Sequence, residues 1–380
     1  MIANDNRVQI VLAAGGTGGH MFPAEALAGE LLRRGCRVDL ITDERGQGFG
    51  NRLPDVAVHH VASGGVAGKG LVPKVKNLAR LALGYFQCRK LIRNLDPAVT
   101  VGFGGYPSVP PLLAAQQRES RTVLHEQNAV AGRANRFLMK RASKVALSFD
   151  KVRFFDELTG DKKAITGNPV RPAISALAEK PYRAPRGNEP VNLLIFGGSL
   201  GARSFSRHIP AGVALISPEL RGRLKIVQQC RAEDLADVAA AYKATGLEVE
   251  LKSFFDDMPQ RLEAAHLIVS RSGASTVTEL TAAGRPSLMI PLPNSIDDHQ
   301  LANARALEGP GAGWVLTESA MSPASIAERL TTILSHPDRL ELAAAAAKKL
   351  GRRDAAERLA DLVMSLVPAS RKPILQTEPA

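Results

Sequence analysis

Three glycine-rich turns and one serine- and threonine-rich helix start hold the residues whose types and spacing suit a nucleotide diphosphate. The first turn, in VLAAGGTGGHMFPAEAL, sets Gly15, Gly16, Thr17, Gly18, Gly19 and His20 between a β-rich run and a helical pattern. The second, in LLIFGGSLGARS, sets Gly197, Gly198, Ser199 and Gly201 at the same place in the second half, and a third, VGFGGYPS, runs on through Phe103. Glycines let the backbone approach a ligand, and the helix N-terminus that follows offers N–H groups and positive dipole character to an anion. None of the turns is a standard cofactor fingerprint, because Met21 stands where GxGxxG needs its last glycine and no GxxxxGK[ST] occurs. A single turn of this kind is also explained by the chain's need to reverse tightly. Three in one chain favour a ligand.

The fourth segment is LIVSRSGASTVTELTAAGRPSLMIPLPNSIDDHQLANA. Ser272, Gly273 and Ala274 open a helix whose first turns carry Ser275, Thr276, Thr278 and Glu279. A diphosphate fits this N-terminus, and a carboxylate one turn in can accept hydrogen bonds from ribose hydroxyls. The plain alternative for Glu279 is an acid that favours a helix N-terminus. Asp297, Asp298, His299 and Gln300 follow the next β-rich run and supply the carboxylates and amides that sugar hydroxyls need.

These loops must be positioned by parallel sheets. β-rich runs at Val8–Ala13, Arg37–Thr42, Ala57–Val61, Ala98–Phe103, Thr122–His125 and Val145–Ser148 alternate with helical patterns near Pro23–Arg34, Pro73–Arg93 and Pro107–Gln117. Such alternation predicts an α/β fold of βαβ units. A proline-rich linker follows Gly167, and a second series runs through Val191–Phe196, Leu224–Gln228, Val249–Ser253, Leu267–Ser270 and Ser287–Ile290. Helices are expected at Ser322–Leu334 and, as one element, from about Leu340 to Val367, with a disordered tail from Arg371. The domain reading is 1–168, 169–352, and a C-terminal segment 353–380 whose helix is free to pack back on the first domain.

The 380 residues carry 49 Lys plus Arg against 37 Asp plus Glu, a formal charge of +12. Residues before Arg171 hold +10 of it, and Val56–Leu95, which has no Asp or Glu, holds +7. In that stretch Val75, Leu78, Ala79, Ala82, Phe86 and Ile92 read as one apolar stripe flanked by Lys74, Lys76, Arg80, Arg89, Lys90 and Arg93. A basic amphipathic helix of this kind can lie on an anionic membrane surface, with Lys140, Arg141 and Lys144 as an extension. The alternative is a helix packed on the sheet with its lysines in water. Nucleic acid is not expected, since the stretch has few aromatics to stack on bases and no groove-reading motif occurs.

Three cysteines at wide spacing, Cys36, Cys88 and Cys230, suggest neither a disulfide framework nor a metal cluster, and point to a reducing, cytosolic setting. No secretory signal is visible. The uncharged stretch Pro97–Gln117 is interrupted by glycines and prolines and reads as strand, turn and helix start.

In this order GGTGGH, FGGYPS, LHEQN, GNPVR, FGGSLGA, FFDDM, SRSGASTVTEL and DDHQLANA resemble the MurG glycosyltransferases, over essentially Val8 to Val367. The resemblance implies a GT-B architecture: two Rossmann-like doubly wound parallel-sheet domains facing across a cleft, the first for the acceptor and the second for the donor. It implies transfer of N-acetylglucosamine (GlcNAc) from UDP-GlcNAc to undecaprenyl-diphospho-N-acetylmuramoyl-pentapeptide, making lipid II for peptidoglycan. It also implies work at the cytoplasmic face of the bacterial inner membrane, with cell-wall assembly proteins as possible partners.

Carried over by residue, the resemblance puts the donor against Thr17, Gly18, Gly19, Asn128, Arg171 and Ser199. Uracil would be read by the backbone of Phe255. The stretch Ala274, Ser275, Thr276, Val277, Thr278 and Glu279 would hold diphosphate, ribose and sugar, with Gln300 on the GlcNAc hydroxyls. Converting an α-linked donor to a β-1,4 product requires inversion by one in-line attack of the acceptor 4-hydroxyl. His20 is the first candidate for the general base, because a neutral imidazole accepts a proton near pH 7, and Glu126 is the second. No Asp-x-Asp occurs, so no catalytic metal and no cofactor are expected. A related transferase with another lipid acceptor, a nicotinamide-dependent dehydrogenase using Asp43 for ribose, and a non-catalytic nucleotide-binding adaptor are the competing readings.

Overall fold

The structure is a computed structural model. It describes residues 7–16, 18–44, 53–63, 71–198 and 201–371, with the backbone alone described for 71–78. Thr17, Ser199, Lys69 and the tail 372–380 lie outside the described residues, as do the side chains of Lys74, Val75, Lys76 and Leu78. The chain divides into two compact units, Met1–Pro169 with Asp354–Ala380, and Val170–Arg353.

In the first unit the described strands are β1 (Gln9–Ala13), β2 (Arg37–Thr42), β3 (Ala57–His60), β4 (Val99–Gly102), β5 (Arg121–Glu126), β6 (Lys144–Leu147) and β7 (Lys163–Ile165). They form one sheet in the order β3-β2-β1-β4-β5-β6-β7. All the pairings are parallel; Ile10, for example, sits between Val38 and Val99. The central strands are buried on both faces, which is why they read as continuous apolar runs rather than alternating ones. Helix Gly18–Arg33 buries Leu27 and Leu31 against the sheet.

The last α-helix among the described residues, Ala355–Ser365, belongs to this same core through Leu359, Ala360 and Val363. Arg34 fixes it from outside with a 2.6 Å bond to Asp361. Arg371, expected to begin a disordered tail, instead sits in a short 3-10 turn and donates to Asp96 O at 2.6 Å.

In the second unit the described strands are β8 (Val191–Phe196), β9 (Leu224–Gln229), β10 (Val249–Lys252), β11 (Leu267–Ser270), β12 (Ser287–Met289) and β13 (Gly313–Val315). Their order, β10-β9-β8-β11-β12-β13, repeats that of the first six strands. The single helix expected from Leu340 to Val367 is two, Pro337–Leu350 and Ala355–Ser365. The break falls at Gly351, where a Cβ would stand 2.5 Å from Thr281 O, so the chain crosses the neighbouring helix too closely for any side chain. Among the described residues no helix is long and apolar enough to cross a membrane, and Pro97–Gln117 resolves into β4, a turn and helix Val109–Gln117.

Candidate functional site

Each sheet reverses its strand order once, between β1 and β4 in the first unit and between β8 and β11 in the second. Open α/β sheets bind ligands at that reversal, beyond the carboxyl ends of the strands. The glycine turns follow β1, β4 and β8, and the serine- and threonine-rich helix start follows β11. All four thus lie at the two reversals.

In the first unit the loops after β1 and β4 touch. A Cβ on Gly15 would stand 2.8 Å from Pro107 and 3.1 Å from Asp43 Oδ1, so only glycine admits this approach. His20, in the first turn of helix Gly18–Arg33, lies beside Gly105, whose φ of +71° and missing side chain leave the ring room; a Cβ there would be 3.4 Å from His20 Cδ2. The ring's Nδ1 lies 3.3 Å from Gln127 Oε1.

The end of β5 holds this ring's support. Gln127 donates from Nε2 to Phe103 O at 2.9 Å and lies 3.0 Å from His125 Nδ1. Glu126 is 1% exposed. Its Oε1 accepts from the N–H and the Nδ2 of Asn128 at 3.0 and 3.3 Å, and its Oε2 accepts from Gly132 N–H and Asn135 Nδ2, each at 2.8 Å. Four donors saturate the carboxylate. It ties the turn after β5 to helix Arg133–Leu138, which leaves it poorly placed to take a substrate proton. Asn128 is engaged in that same tie. Asn135 Oδ1 is buried without a hydrogen-bond partner among the described residues.

The second unit presents a helix N-terminus. Helix Ala274–Ala283 is preceded by Gly273 with no side-chain cap, and its first intrahelical bond runs from Val277 N–H to Gly273 O. The N–H groups of Ala274, Ser275 and Thr276 therefore precede the hydrogen-bonded ladder. Ser275 Oγ is buried without a hydrogen-bond partner among the described residues. Two residues of the expected stretch serve the helix instead: Val277 is buried, and Thr278 Oγ1 donates to Ala274 O at 2.7 Å.

Arg171 bonds Glu279 Oε1 through Nε at 3.0 Å and Nη2 at 2.8 Å. Burial raises the Glu279 carboxyl above the usual carboxylate range, and Arg171 opposes that rise. Gln300 accepts Leu292 N–H on Oε1 at 3.0 Å. Ser272 Oγ donates to Gln300 O at 2.8 Å and locks the two loops together. Phe255 is buried in the core under the Arg261 guanidinium, 4.2 Å from its ring centroid, leaving backbone as its means of contact.

Residues 10–147 match the glycosyltransferase family 28 N-terminal domain, and residues 192–359 match the glycosyltransferase family 28 C-terminal domain. A Rhodospirillum rubrum protein named UDP-N-acetylglucosamine--N-acetylmuramyl-(pentapeptide) pyrophosphoryl-undecaprenol N-acetylglucosamine transferase is 50% identical over 94% of this chain and 91% of its own. The chain belongs to the MurG branch of glycosyltransferase family 28. A like-named Mesorhizobium japonicum protein shares 47% identity with this family 28 chain, over 96% of each. The crystal structure of Acinetobacter baumannii MurG superposes with a TM-score of 0.77 at 28% identity, covering 94% of this chain and 99% of that one. A Neisseria meningitidis UDP-GlcNAc 2-epimerase, at 13% identity and a TM-score of 0.68, shares the fold alone. Two parallel Rossmann-like sheets in this family make the fold GT-B.

The basic helix of this family 28 chain spans Leu71–Leu95. Gly84, Cys88 and Ile92 face inward, so Ile92 is part of the core and not of an exposed stripe. On the opposite side Ala79, Ala82, Leu83 and Phe86 are exposed together with Arg80, Arg89 and Lys90. Phe86 is 61% and Leu83 54% exposed. Gly84 sets the helix's seat, since a Cβ there would lie 1.9 Å from Ala62 O.

Gln127, His125 and Asn135 were not singled out as functional from sequence. The histidine and glutamine of HEQN are visible in sequence, but the contact of Gln127 with His20, over a hundred positions away, depends on β1, β4 and β5 lying side by side. Arg271 is a second such residue. It is buried and bonds Ile290 O, Pro291 O and Glu318, joining the loops after β11 and β12.

Proposed function

We propose that this chain transfers GlcNAc from UDP-GlcNAc to the 4-hydroxyl of MurNAc in undecaprenyl-diphospho-MurNAc-pentapeptide, with inversion, giving lipid II. The observation that carries this reading is near-full-length likeness, at 44–50% identity, to proteins whose names state that transfer. The acceptor hydroxyl gives its proton to His20 as its oxygen attacks the anomeric carbon, and UDP leaves. The N–H groups of Ala274, Ser275 and Thr276 receive the diphosphate, with Arg171 and Ser199 adding positive or hydrogen-bonding contacts. Charge-assisted hydrogen bonds contribute about 1.5–3 kcal/mol each. Two that strengthen only in the transition state supply roughly two to four decades of rate.

On the donor side both Arg171 bonds fall on Glu279 Oε1, so ribose hydroxyls are accepted at Oε2. Gln300 donates to a GlcNAc oxygen, and Phe255 reads uracil by its backbone. Thr17, Gly18, Gly19 and Asn128 enter this reading through the family resemblance alone. Glu126 acts as the frame of the acceptor loop, and His20 is the base. The exposed apolar and basic face of helix Leu71–Leu95 docks on anionic lipid at the cytoplasmic face of the plasma membrane, where the lipid-linked acceptor resides. Each basic residue near such a surface contributes about 1 kcal/mol.

Labelled UDP-GlcNAc supplied with lipid-linked MurNAc-pentapeptide tests the reading. Labelled lipid and free UDP are expected. Folded protein that binds UDP-GlcNAc and yields neither would reject the assignment in favour of a non-catalytic nucleotide-binding role.

A further inference from the structure

Gln127 stands between two histidines, and its surroundings fix which end of its amide is which. Nε2 lies 2.9 Å from Phe103 O and 3.2 Å from His125 O. Both are carbonyl acceptors, so this end must donate and Oε1 must accept. Nε2 also lies 3.0 Å from His125 Nδ1, which therefore carries no proton. At the other side of that ring, His125 Nε2 lies 3.0 Å from Gly167 O, and a carbonyl there requires the proton on Nε2. Backbone carbonyls at both ends of the chain of bonds thus demand the same arrangement. Complete burial holds the His125 imidazole down at about 4, so the ring is neutral.

His20 meets only the accepting end. Its Nδ1 is 3.3 Å from Gln127 Oε1, and an acceptor there requires Nδ1–H. We infer that His125 and Gln127 are positioning residues that hold neutral His20 in its Nδ1–H tautomer, leaving Nε2 as the nitrogen that takes the acceptor's proton. The inference rests on the reading of His20 as the base.

In the step itself the acceptor O–H bond breaks and Nε2–H forms. The oxygen's electron pair makes the new bond to the anomeric carbon, and the bond to the diphosphate oxygen breaks with its pair. As the imidazolium forms, the Nδ1–H to Oε1 bond becomes charge-assisted, so the support strengthens as the proton arrives. An amide, unlike a carboxylate, sets the tautomer without placing a charge beside the base. The Nε2 side is the one toward Gly105, where a Cβ would come within 3.5 Å.

The test is nitrogen NMR of full-length protein labelled with 15N-histidine, at mildly alkaline pH, with the His20 signals identified by their loss in His20→Ala. A pyrrole-type Nδ1 and a pyridine-type Nε2 at His20 are expected; the reverse pattern overturns the inference whatever any variant does. In Gln127→Leu the Nδ1–H pattern should be lost and kcat should fall about tenfold, with KM for UDP-GlcNAc unchanged. A folded Gln127→Leu protein that keeps the pattern also overturns it. Full transfer by His20→Ala would overturn the base reading while leaving the tautomer measurement intact, so the two failures are separable.

Discussion

The two units use one strand order and put their loops at the same point of it, yet they treat polar groups in opposite ways. The first buries a connected set of side chains, His125, Glu126, Gln127 and Asn135, of which Gln127 reaches the His20 imidazole. The second offers backbone N–H groups, a serine hydroxyl and one ion pair, Arg171 with Glu279. On the proposed roles, the contrast follows from the tasks. A proton acceptor must be held in one ionisation state and one orientation, which takes a rigid, desolvated surround. A nucleotide diphosphate brings its own charge and needs only donors already aimed at it. The charge count is consistent with the proposal, with residues before Arg171 at +10 and the rest at +2, since donors aimed at an anion need no large net charge.

If the division of labour is right, single substitutions should split kinetically. His20→Ala is expected to lower kcat by about 10² to 10⁴ with UDP binding intact, whereas Glu279→Gln should raise KM for UDP-GlcNAc about tenfold and leave kcat nearly unchanged. Steady-state kinetics with both substrates varied would break the comparison if the two variants behaved alike.

The second expectation concerns acid. His125 is neutral when folded down to about 4, against 6.5 for an ordinary histidine. Between those values the unfolded chain binds a proton that the folded chain refuses, so stability falls as pH drops from 6.5 toward 4 and is unaffected above 6.5. The loss is on the order of 3 kcal/mol. Denaturant melts across this window should show it in the wild type and show less of it in His125→Asn.

Glu126→Gln sharpens the contrast between frame and base. With four donors around the carboxylate, the amide must turn its NH₂ toward at least one of them, which costs about 2 kcal/mol and should lower the melting temperature by several degrees. Loss of activity at an unchanged melting temperature would restore Glu126 as a base. The smallest effect belongs to the surface: Lys90→Gln should weaken binding to anionic vesicles about fivefold, and high salt should erase the difference.

Much of this architecture was legible in the residues. The glycine turns mark three strand ends and the serine- and threonine-rich helix start a fourth, and buried parallel strands such as Val191–Phe196 announce themselves as apolar runs. Two of the strands of three residues, Lys163–Ile165 and Gly313–Val315, were missed because so short a run carries no period, whereas Ser287–Met289 was visible within the apolar run Ser287–Ile290. The face of helix Leu71–Leu95 was misjudged at Ile92, since its packed side is made partly of Gly84 and Cys88, which add little to a hydrophobic pattern. Sequence also offered Glu126 as a second base. Only the positions of Asn128, Gly132 and Asn135 show that its lone pairs are already spoken for.

The placement of helix Ala355–Ser365 bears on how the chain is made. Leu359, Ala360 and Val363 fill the core around Leu27 and Leu31, so the part of the protein that leaves the ribosome first is the last to be completed. The second unit, Val170–Arg353, has its whole sequence available before that. During synthesis the first unit must wait with an open apolar face, and that interval is when it is most exposed to chaperones and to aggregation.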